Sequence, residues 1–110
     1  GLEEAFTAIA QLPRVHFDTA LVPSAEVVAM ALRIVGSDRI MYGSDEPLNL
    51  IRSKPYTHPK KGEHLATGIT HSHWQALQAM KTTISILPRK EQEAVKKKFF
   101  HDNAKMFYGF

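Results

Sequence analysis

Hydrophobic residues in the first part of the chain recur with two different spacings, which predict helices and strands in alternation. Residues 2–11 place apolar side chains three and four apart, as on one face of a short helix, and Pro13 ends that helix. Residues 15–21 alternate between two faces and predict a strand. After Ser24, a good helix N-cap, a broad apolar stripe predicts a second helix that Gly36 ends.

A second strand follows in the stretch Arg-Ile-Met-Tyr-Gly-Ser-Asp-Glu-Pro at residues 39–47. Its apolar residues favour a strand, Gly43 permits close backbone approach, and Pro47 cannot donate to a continuing ladder. A strand, a helix and a strand joined by short turns form a βαβ unit, which requires a parallel pair. Asp45 is therefore expected at the carboxyl end of a strand, where parallel α/β sheets gather their catalytic groups.

The second part of the chain reads as a loop followed by helices. Residues 52–70 contain prolines and glycines without a sustained period and predict a long irregular loop. Ser72, with Gln75 three residues later, predicts a capping box at the start of a helix through Leu87. The predicted buried face of that helix comprises Trp74, Leu77, Met80, Ile84 and Leu87. A further helix begins at Pro88. A last short turn, capped by Asp102 or Asn103, ends at Gly109. The chain thus divides into three segments, 1–51, 52–70 and 71–110.

The composition places the chain among ordinary globular proteins. Its 110 residues are 44% hydrophobic and 23% charged, enough for one domain with a small core. It has neither an apolar run long enough to span a bilayer nor the layout of a secretory signal, so we expect a soluble, cytoplasmic protein. Cysteine is absent, which excludes disulfides and thiolate metal ligands.

Positive charge is concentrated near the carboxyl end. Residues 81–105 contain seven basic and three acidic residues within a chain of net charge +3. The run Lys96-Lys97-Lys98 stands beside two phenylalanines, which is typical of the solvated face of an amphipathic helix, although phosphate contact is an alternative. Nucleic-acid binding is not expected, because no stacking aromatics alternate with the basic residues.

Asp45 and the histidines are the candidate chemical groups. A carboxylate at a strand end can bind a metal or accept a proton, but Ser-Asp-x-Pro is also good turn chemistry, and spacing alone leaves both interpretations open for Asp45. His71 and His73 stand at a helix entrance, where residues two apart face different directions. A surface zinc or nickel site that uses them with His58, His64 or His101 competes with the simpler interpretation of loop histidines without a ligand role.

Three stretches of the chain form one recognisable set of motifs. They read Val-His-Phe-Asp-Thr at 15–19, Gly-Ser-Asp-Arg-Ile-Met-Tyr-Gly-Ser-Asp-Glu-Pro at 36–47 and Asn-Ala-Lys-Met-Phe-Tyr-Gly at 103–109. Together they resemble the metal-dependent amidohydrolase superfamily, in the branch that includes aminocarboxymuconate-semialdehyde decarboxylase. The stretch at 36–47 resembles the last strand of that family's (β/α)8 barrel, the stretch at 15–19 resembles the preceding strand, and the stretch at 103–109 resembles the terminal helix. The resemblance spans 1–51 and 88–110 in the correct order.

The resemblance implies a function and a site residue. It makes Asp45 the strand-eight aspartate, which in this family binds the catalytic divalent metal, here expected to be zinc, and handles the proton of its bound water. The implied activity is hydrolysis or decarboxylation of a small-molecule substrate. Family members usually have an aromatic residue where this chain has Glu46.

The length of the chain limits what it can do alone. A closed barrel of this type needs about 200 residues or more, and the family's His-x-His pair on the first strand has no counterpart here. We therefore expect the C-terminal portion of a (β/α)8 barrel, with its last two strands, that is inactive alone and self-associates through exposed edges and apolar faces. The alternative is a self-contained, non-catalytic α/β interaction module in which Asp45 is a turn residue.

Overall fold

The computed structural model describes residues 1–44, 52–57 and 67–109, with side chains described for residues 1–44 and 74–109. The elements in chain order are helix α1 (Leu2–Ala10), strand β1 (Phe17–Asp18), helix α2 (Ala25–Val35), a 3-10 turn (Ser37–Arg39), strand β2 (Ile40–Met41), strand β3 (Arg52–Thr57), strand β4 (Thr67–His71), helix α3 (Ser72–Ser85), helix α4 (Arg89–Lys97), a π-helical turn (Lys98–Asp102) and helix α5 (Asn103–Tyr108). The described chain is thus a helix-rich α/β structure, as the sequence predicts.

The predicted βαβ unit is present. Strands β1 and β2 pair in parallel, and α2 connects them. The Ser24 hydroxyl accepts a hydrogen bond from the Val27 amide at 3.4 Å, and Gly36 ends α2 with a φ of 96°. Both local signals therefore act as the sequence predicts.

The paired part of β1 is shorter than the predicted strand at 15–21. A turn precedes it, in which the Val15 amide bonds to the Leu12 carbonyl, and a second turn follows, in which the Val22 amide bonds to the Thr19 carbonyl. These turns confine the regular ladder to Phe17–Asp18, because a backbone that closes a turn cannot stay extended.

Helix α1 is tied to the βαβ unit by one aromatic contact and one arginine. The rings of Phe6 and Phe17 meet edge to face at 5.8 Å between centroids. The Arg39 guanidinium donates to the carbonyls of Leu12 at 2.6 Å and Ala10 at 3.1 Å. Arg39 thus satisfies free carbonyls at the end of α1 and fixes that end to the start of β2.

The irregular loop predicted for 52–70 is wrong over 52–57 and 67–70, where β3 and β4 pair as an antiparallel ribbon. The pairing runs from Arg52 opposite His71 to Thr57 opposite Thr67. Aromatic and β-branched residues favour these strands, while Pro55 obscures the pattern. Each strand of a two-stranded ribbon has an unpaired edge, which can accommodate a proline.

The core lies on one face of the β1–β2 pair, between that pair and the helices. Its buried residues are Val28, Ala31, Ile40, Ala79, Met80, Ile84, Val95 and Phe99. Phe99 and Ile40, each 1% exposed, bring the π-helical turn against β2. The basic run that precedes Phe99 lies mainly in solvent, since Lys96 and Lys97 are exposed and Lys98 is half-buried. The amphipathic interpretation of that run is confirmed.

Helix α3 buries the predicted Met80 and Ile84, but its buried face differs from the predicted one at the start of the helix. Trp74, expected inside, is 52% exposed, whereas Ala76, Ala79 and Thr83 are also buried. The Thr83 hydroxyl lies 2.9 Å from the Ala79 carbonyl and 3.2 Å from the Ala25 carbonyl, the latter on α2. Small side chains let α2 approach closely, and this advantage outweighs burial of the larger indole ring.

The predicted separate last turn is instead part of a nearly continuous helix over residues 89–108. Asp102 keeps helical angles, φ −65° and ψ −39°, and its side chain caps nothing. Gly109 ends the helix in the left-handed conformation with a φ of 75°, as predicted.

Candidate functional site

The carboxyl ends of β1 and β2 lie side by side at one edge of the parallel pair. The register places Asp18 opposite Met41, so the two strands end at the same level. Asp45, the predicted catalytic and metal-binding residue, lies outside the described residues, which stop at Ser44 and resume at Arg52. The role of Asp45 therefore stays a prediction.

Alternation along the strands assigns two faces to this end of the sheet. Ile40 and Tyr42 face the helical layer, where Ile40 is buried and the Tyr42 ring lies 5.2 Å from that of Phe100. Asp18 and Gly43 belong to the opposite face. The exposed carboxylate of Asp18 is thus presented on the same face as Gly43.

Asp18 and Gly43 are in close contact. A Cβ atom added to Gly43 would lie 2.8 Å from Asp18 Cγ, 2.9 Å from its Cβ and 3.1 Å from its Oδ1. Carbon atoms not bonded to each other normally approach to about 3.5–4.0 Å. Gly43 is therefore required for space, because any larger residue would push the two strand ends apart.

The turn after β1 is held by Asp18 and contains a strained residue. Asp18 Oδ1 accepts from the Ala20 amide at 3.0 Å. Leu21 follows with a φ of 58°, an uncommon conformation for a branched residue that costs energy. The hydroxyl of the buried Thr19 has no hydrogen-bond partner among the described residues. This turn therefore combines an oriented carboxylate, an unsatisfied hydroxyl and backbone strain.

Three carboxyl groups outside the strand ends have lowered pKa values. The Ser24 hydroxyl, which donates to Glu26 at 2.6 Å, lowers the pKa of the Glu26 carboxyl. The hydrogen bond from His101 likewise lowers the pKa of Asp102, and the amino terminus lowers that of Glu4. These carboxylates are stabilised in their charged forms by local partners, which is typical of structural groups.

The histidines do not form a metal site within the part of the chain that the structure describes. The His16 ring lies 4.8 Å from that of Phe107, and His101 Nδ1 lies 2.8 Å from Asp102 Oδ1. His58 and His64 lie outside the described residues, and the side chains of His71 and His73 are not described. Over the described residues, no three His, Cys, Asp or Glu side chains are grouped so that they could hold a metal.

The described donor set therefore does not hold a metal by itself. Asp18 contributes one carboxylate, and its Oδ1 already accepts from the Ala20 amide. One aspartate does not provide the three or four ligands that a zinc site uses. A metal at this strand end would need further ligands from outside the described residues.

Asn103 has a structural role beyond the possible helix cap that the sequence predicts. It is 5% exposed, and its side-chain amide donates to the carbonyls of Ser37 at 2.6 Å and Ile40 at 2.8 Å. The resemblance of 103–109 to a family helix was the available signal, but it did not indicate this contact. Asn103 fixes the terminal helix to the strand that leads to Asp45.

Comparison with known families decides the classification of the chain. The family model described as amidohydrolase matches residues 1–110. The chain belongs to the amidohydrolase family. The superfamily indicated by the sequence motifs is thereby confirmed, and members of the family generally use divalent metal ions.

This amidohydrolase-family chain has no significant match among the curated proteins or among the solved structures. Within the described ranges, none of its helices has the length and apolar character needed to cross a membrane.

Proposed function

We propose that this chain is the C-terminal portion of a (β/α)8 barrel enzyme, a metal-dependent hydrolase or decarboxylase that acts on a small molecule in the cytoplasm. The observation that carries the proposal is the parallel β1–β2 pair with its helical crossover, in a chain that the amidohydrolase family matches throughout. In such barrels, catalytic groups lie at the carboxyl ends of the strands. Asp18 and the Gly43–Ser44 approach to Asp45 lie at that end.

Asp45 is the residue we assign to the metal and to proton transfer. A divalent ion bound there, zinc in our proposal, would act as a Lewis acid and lower the pKa of bound water. The remaining ligands would come from other strands of the intact enzyme. Asp18 and Gly43 would contribute indirectly, since their contact sets how closely the two strand ends approach.

The isolated 110-residue chain should therefore be inactive, because a single proposed ligand cannot hold a catalytic metal tightly. Detectable hydrolase or decarboxylase turnover by the purified chain alone would contradict this expectation. The absence of turnover should persist when zinc or manganese is added.

Zinc binding followed by calorimetry tests the role of Asp45 directly. We expect weak binding to the chain and weaker binding to Asp45→Asn. The matched control is Asp18→Asn, which removes a carboxylate from the same strand end and should bind zinc like the parent chain. Equal binding by the parent and Asp45→Asn would show that other groups, such as the histidines, coordinate the ion.

We also propose that the isolated chain self-associates. Several large apolar side chains are well exposed, among them Ile86 at 69%, Met106 at 84% and Tyr108 at 66%. Apolar surface of this kind favours association with other protein surfaces. Sedimentation at increasing concentration should reveal dimers or larger species, and a strictly monomeric chain would contradict the proposal.

A self-contained interaction module is the second candidate function, and one observation favours it. The outer edge of β2 is already hydrogen-bonded to the chain's own terminal helix, by Phe99 and Asn103. The coding sequence upstream separates the two candidates. An in-frame His-x-His after a predicted strand would support the enzyme, whereas a start codon directly before Gly1 would support the module.

A further inference from the structure

The outer edge of strand β2 is occupied by groups that belong to a helix. The Thr19 amide bonds to the Met41 carbonyl at 3.0 Å, so Met41 faces β1. In a parallel strand, successive residues direct their backbone groups to opposite edges. Ile40 and Tyr42 therefore direct theirs to the other edge of β2, which a further strand would occupy in a larger sheet.

The π-helical turn explains how a helix can satisfy the Tyr42 amide. In an α-helix the backbone N–H of Asn103 would donate to the carbonyl of Phe99, four residues earlier. Here it donates instead to the carbonyl of Lys98, five residues earlier. The Phe99 carbonyl is thereby released from the helical ladder. It accepts instead from the Tyr42 amide at 2.8 Å.

The side chain of Asn103 supplies the complementary group. Its carboxamide donates to the Ile40 carbonyl at 2.8 Å and to the Ser37 carbonyl at 2.6 Å. A carboxamide has the same donor chemistry as a peptide N–H. The Phe99 carbonyl therefore accepts from the Tyr42 N–H, and the Asn103 side-chain N–H donates to the Ile40 carbonyl. A neighbouring parallel strand would offer the same two kinds of group at these two residues.

An ion pair strengthens the attachment of the turn. Lys98 Nζ lies 2.7 Å from Asp38 Oδ1 and 3.3 Å from the Ser37 hydroxyl. Phe99 is 1% exposed and packs in the core beside Ile40. The π-helical turn is therefore fixed to the start of β2 by charge, by hydrogen bonds and by packing.

We propose that residues 98–103 mimic a β-strand and keep the outer edge of β2 closed, so that an extended strand can pair there only after this segment is released. The partner is a strand that runs parallel to β2, supplied by the rest of a barrel. The identity of that partner rests on the proposed function, whereas the closed edge does not. The groups of residues 98–103 and the backbone groups of an added strand cannot bond to Ile40 and Tyr42 at the same time, because both would occupy the same edge of β2.

Native-state hydrogen exchange of the wild-type chain tests whether the edge opens separately. The Tyr42 amide reports on the outer edge and the Thr19 amide on the β1–β2 ladder. We expect Tyr42 to exchange through a partial opening at least about tenfold more frequent than the opening that exposes Thr19. Identical opening free energies for both amides at every denaturant concentration would overturn the proposal.

The variant Asn103→Ala should open the edge. We expect the Tyr42 amide to exchange faster than in the wild-type chain, whereas exchange of the Thr19 amide should change much less. We also expect the variant to bind an added peptide that copies residues 13–22, the segment that already pairs in parallel with β2. His101→Ala is the matched control, since His101 is an exposed residue of the same turn and the contacts to β2 come from Phe99 and Asn103. It should neither bind the peptide nor alter Tyr42 exchange.

Equal peptide binding by the wild-type chain and Asn103→Ala, with Tyr42 still protected, would overturn the proposal. If Asn103→Ala unfolds the whole chain, Thr19 loses protection as well, and the wild-type exchange experiment decides the question. None of these measurements involves a metal or turnover, so their outcome is independent of the test on Asp45.

Discussion

Replacement of Gly43 by alanine probes the contact that sets the spacing of the two strand ends. The added Cβ would meet Asp18 Cβ at 2.9 Å and Cγ at 2.8 Å. Rotation of the Asp18 side chain moves Cγ but leaves Cβ in place, so the backbones themselves must separate by about 0.6 Å or more to restore an ordinary carbon contact.

The expected cost follows from two opposing effects. Forcing an extra methyl group into a packed site costs about 1–3 kcal/mol. Alanine also reduces the conformational freedom of the unfolded chain, which contributes about 0.4–1 kcal/mol of stability where the backbone suits it. Gly43→Ala should therefore lower the free energy of unfolding by about 1.3 kcal/mol, the difference between the midpoints of these two ranges.

Variants at Asp18 separate steric strain from other causes. Asp18→Ala removes Cγ and Oδ1 but keeps the 2.9 Å contact, so it should relieve only part of the cost of Gly43→Ala. Asp18→Gly removes all three of the Asp18 atoms that the added Cβ would meet. In that background Gly43→Ala should become neutral or stabilise the chain by up to about 1 kcal/mol.

Urea unfolding followed by circular dichroism gives the four free energies of this double-mutant cycle. Unchanged slopes against urea would indicate that the folded and unfolded states remain comparable. If Gly43→Ala cost the same in the Asp18→Gly background as in the parent, the proposed steric contact with Asp18 would be refuted.

Three further measurements test other parts of the structure. Leu21→Asn should raise the free energy of unfolding by about 0.5–1 kcal/mol, because asparagine tolerates a positive φ better than leucine; an unchanged or lower melting temperature would contradict this. Thr83→Val should cost about 1 kcal/mol by removing the hydroxyl donor to the carbonyls of Ala79 and Ala25, whereas Thr83→Ser should cost less in urea unfolding. The lowered pKa of Glu26 stabilises the folded chain at pH values above the pKa that this carboxyl has in the unfolded chain, and this stability is lost as the pH falls through the lower folded pKa. Unfolding measured as a function of pH should show the loss below about pH 4.5. The loss should be smaller in Ser24→Ala, which lacks the hydroxyl that donates to Glu26.

Local sequence signals determined the first half of the fold. The Ser24 cap, the Gly36 stop and the parallel unit between them could be predicted because each depends on residues close together in the chain. The motif resemblance likewise indicated the family that matches the whole chain. The role of Asp45 stays a prediction, since Asp45 lies outside the described residues.

Tertiary structure decided the features that join distant residues. Asn103 bonds to Ile40 across 63 positions, and the π-helical turn exists where the Phe99 carbonyl can serve Tyr42. The spacing of apolar residues along the chain reveals neither feature, because a regular α-helix would satisfy the Phe99 carbonyl equally well in isolation. The buried face of α3 depends in the same way on contact between Thr83 and α2. The sequence by itself therefore determined the βαβ unit and the family. The β3–β4 ribbon and the contacts between the terminal helix and β2 were decided by pairing and packing between residues far apart in the chain.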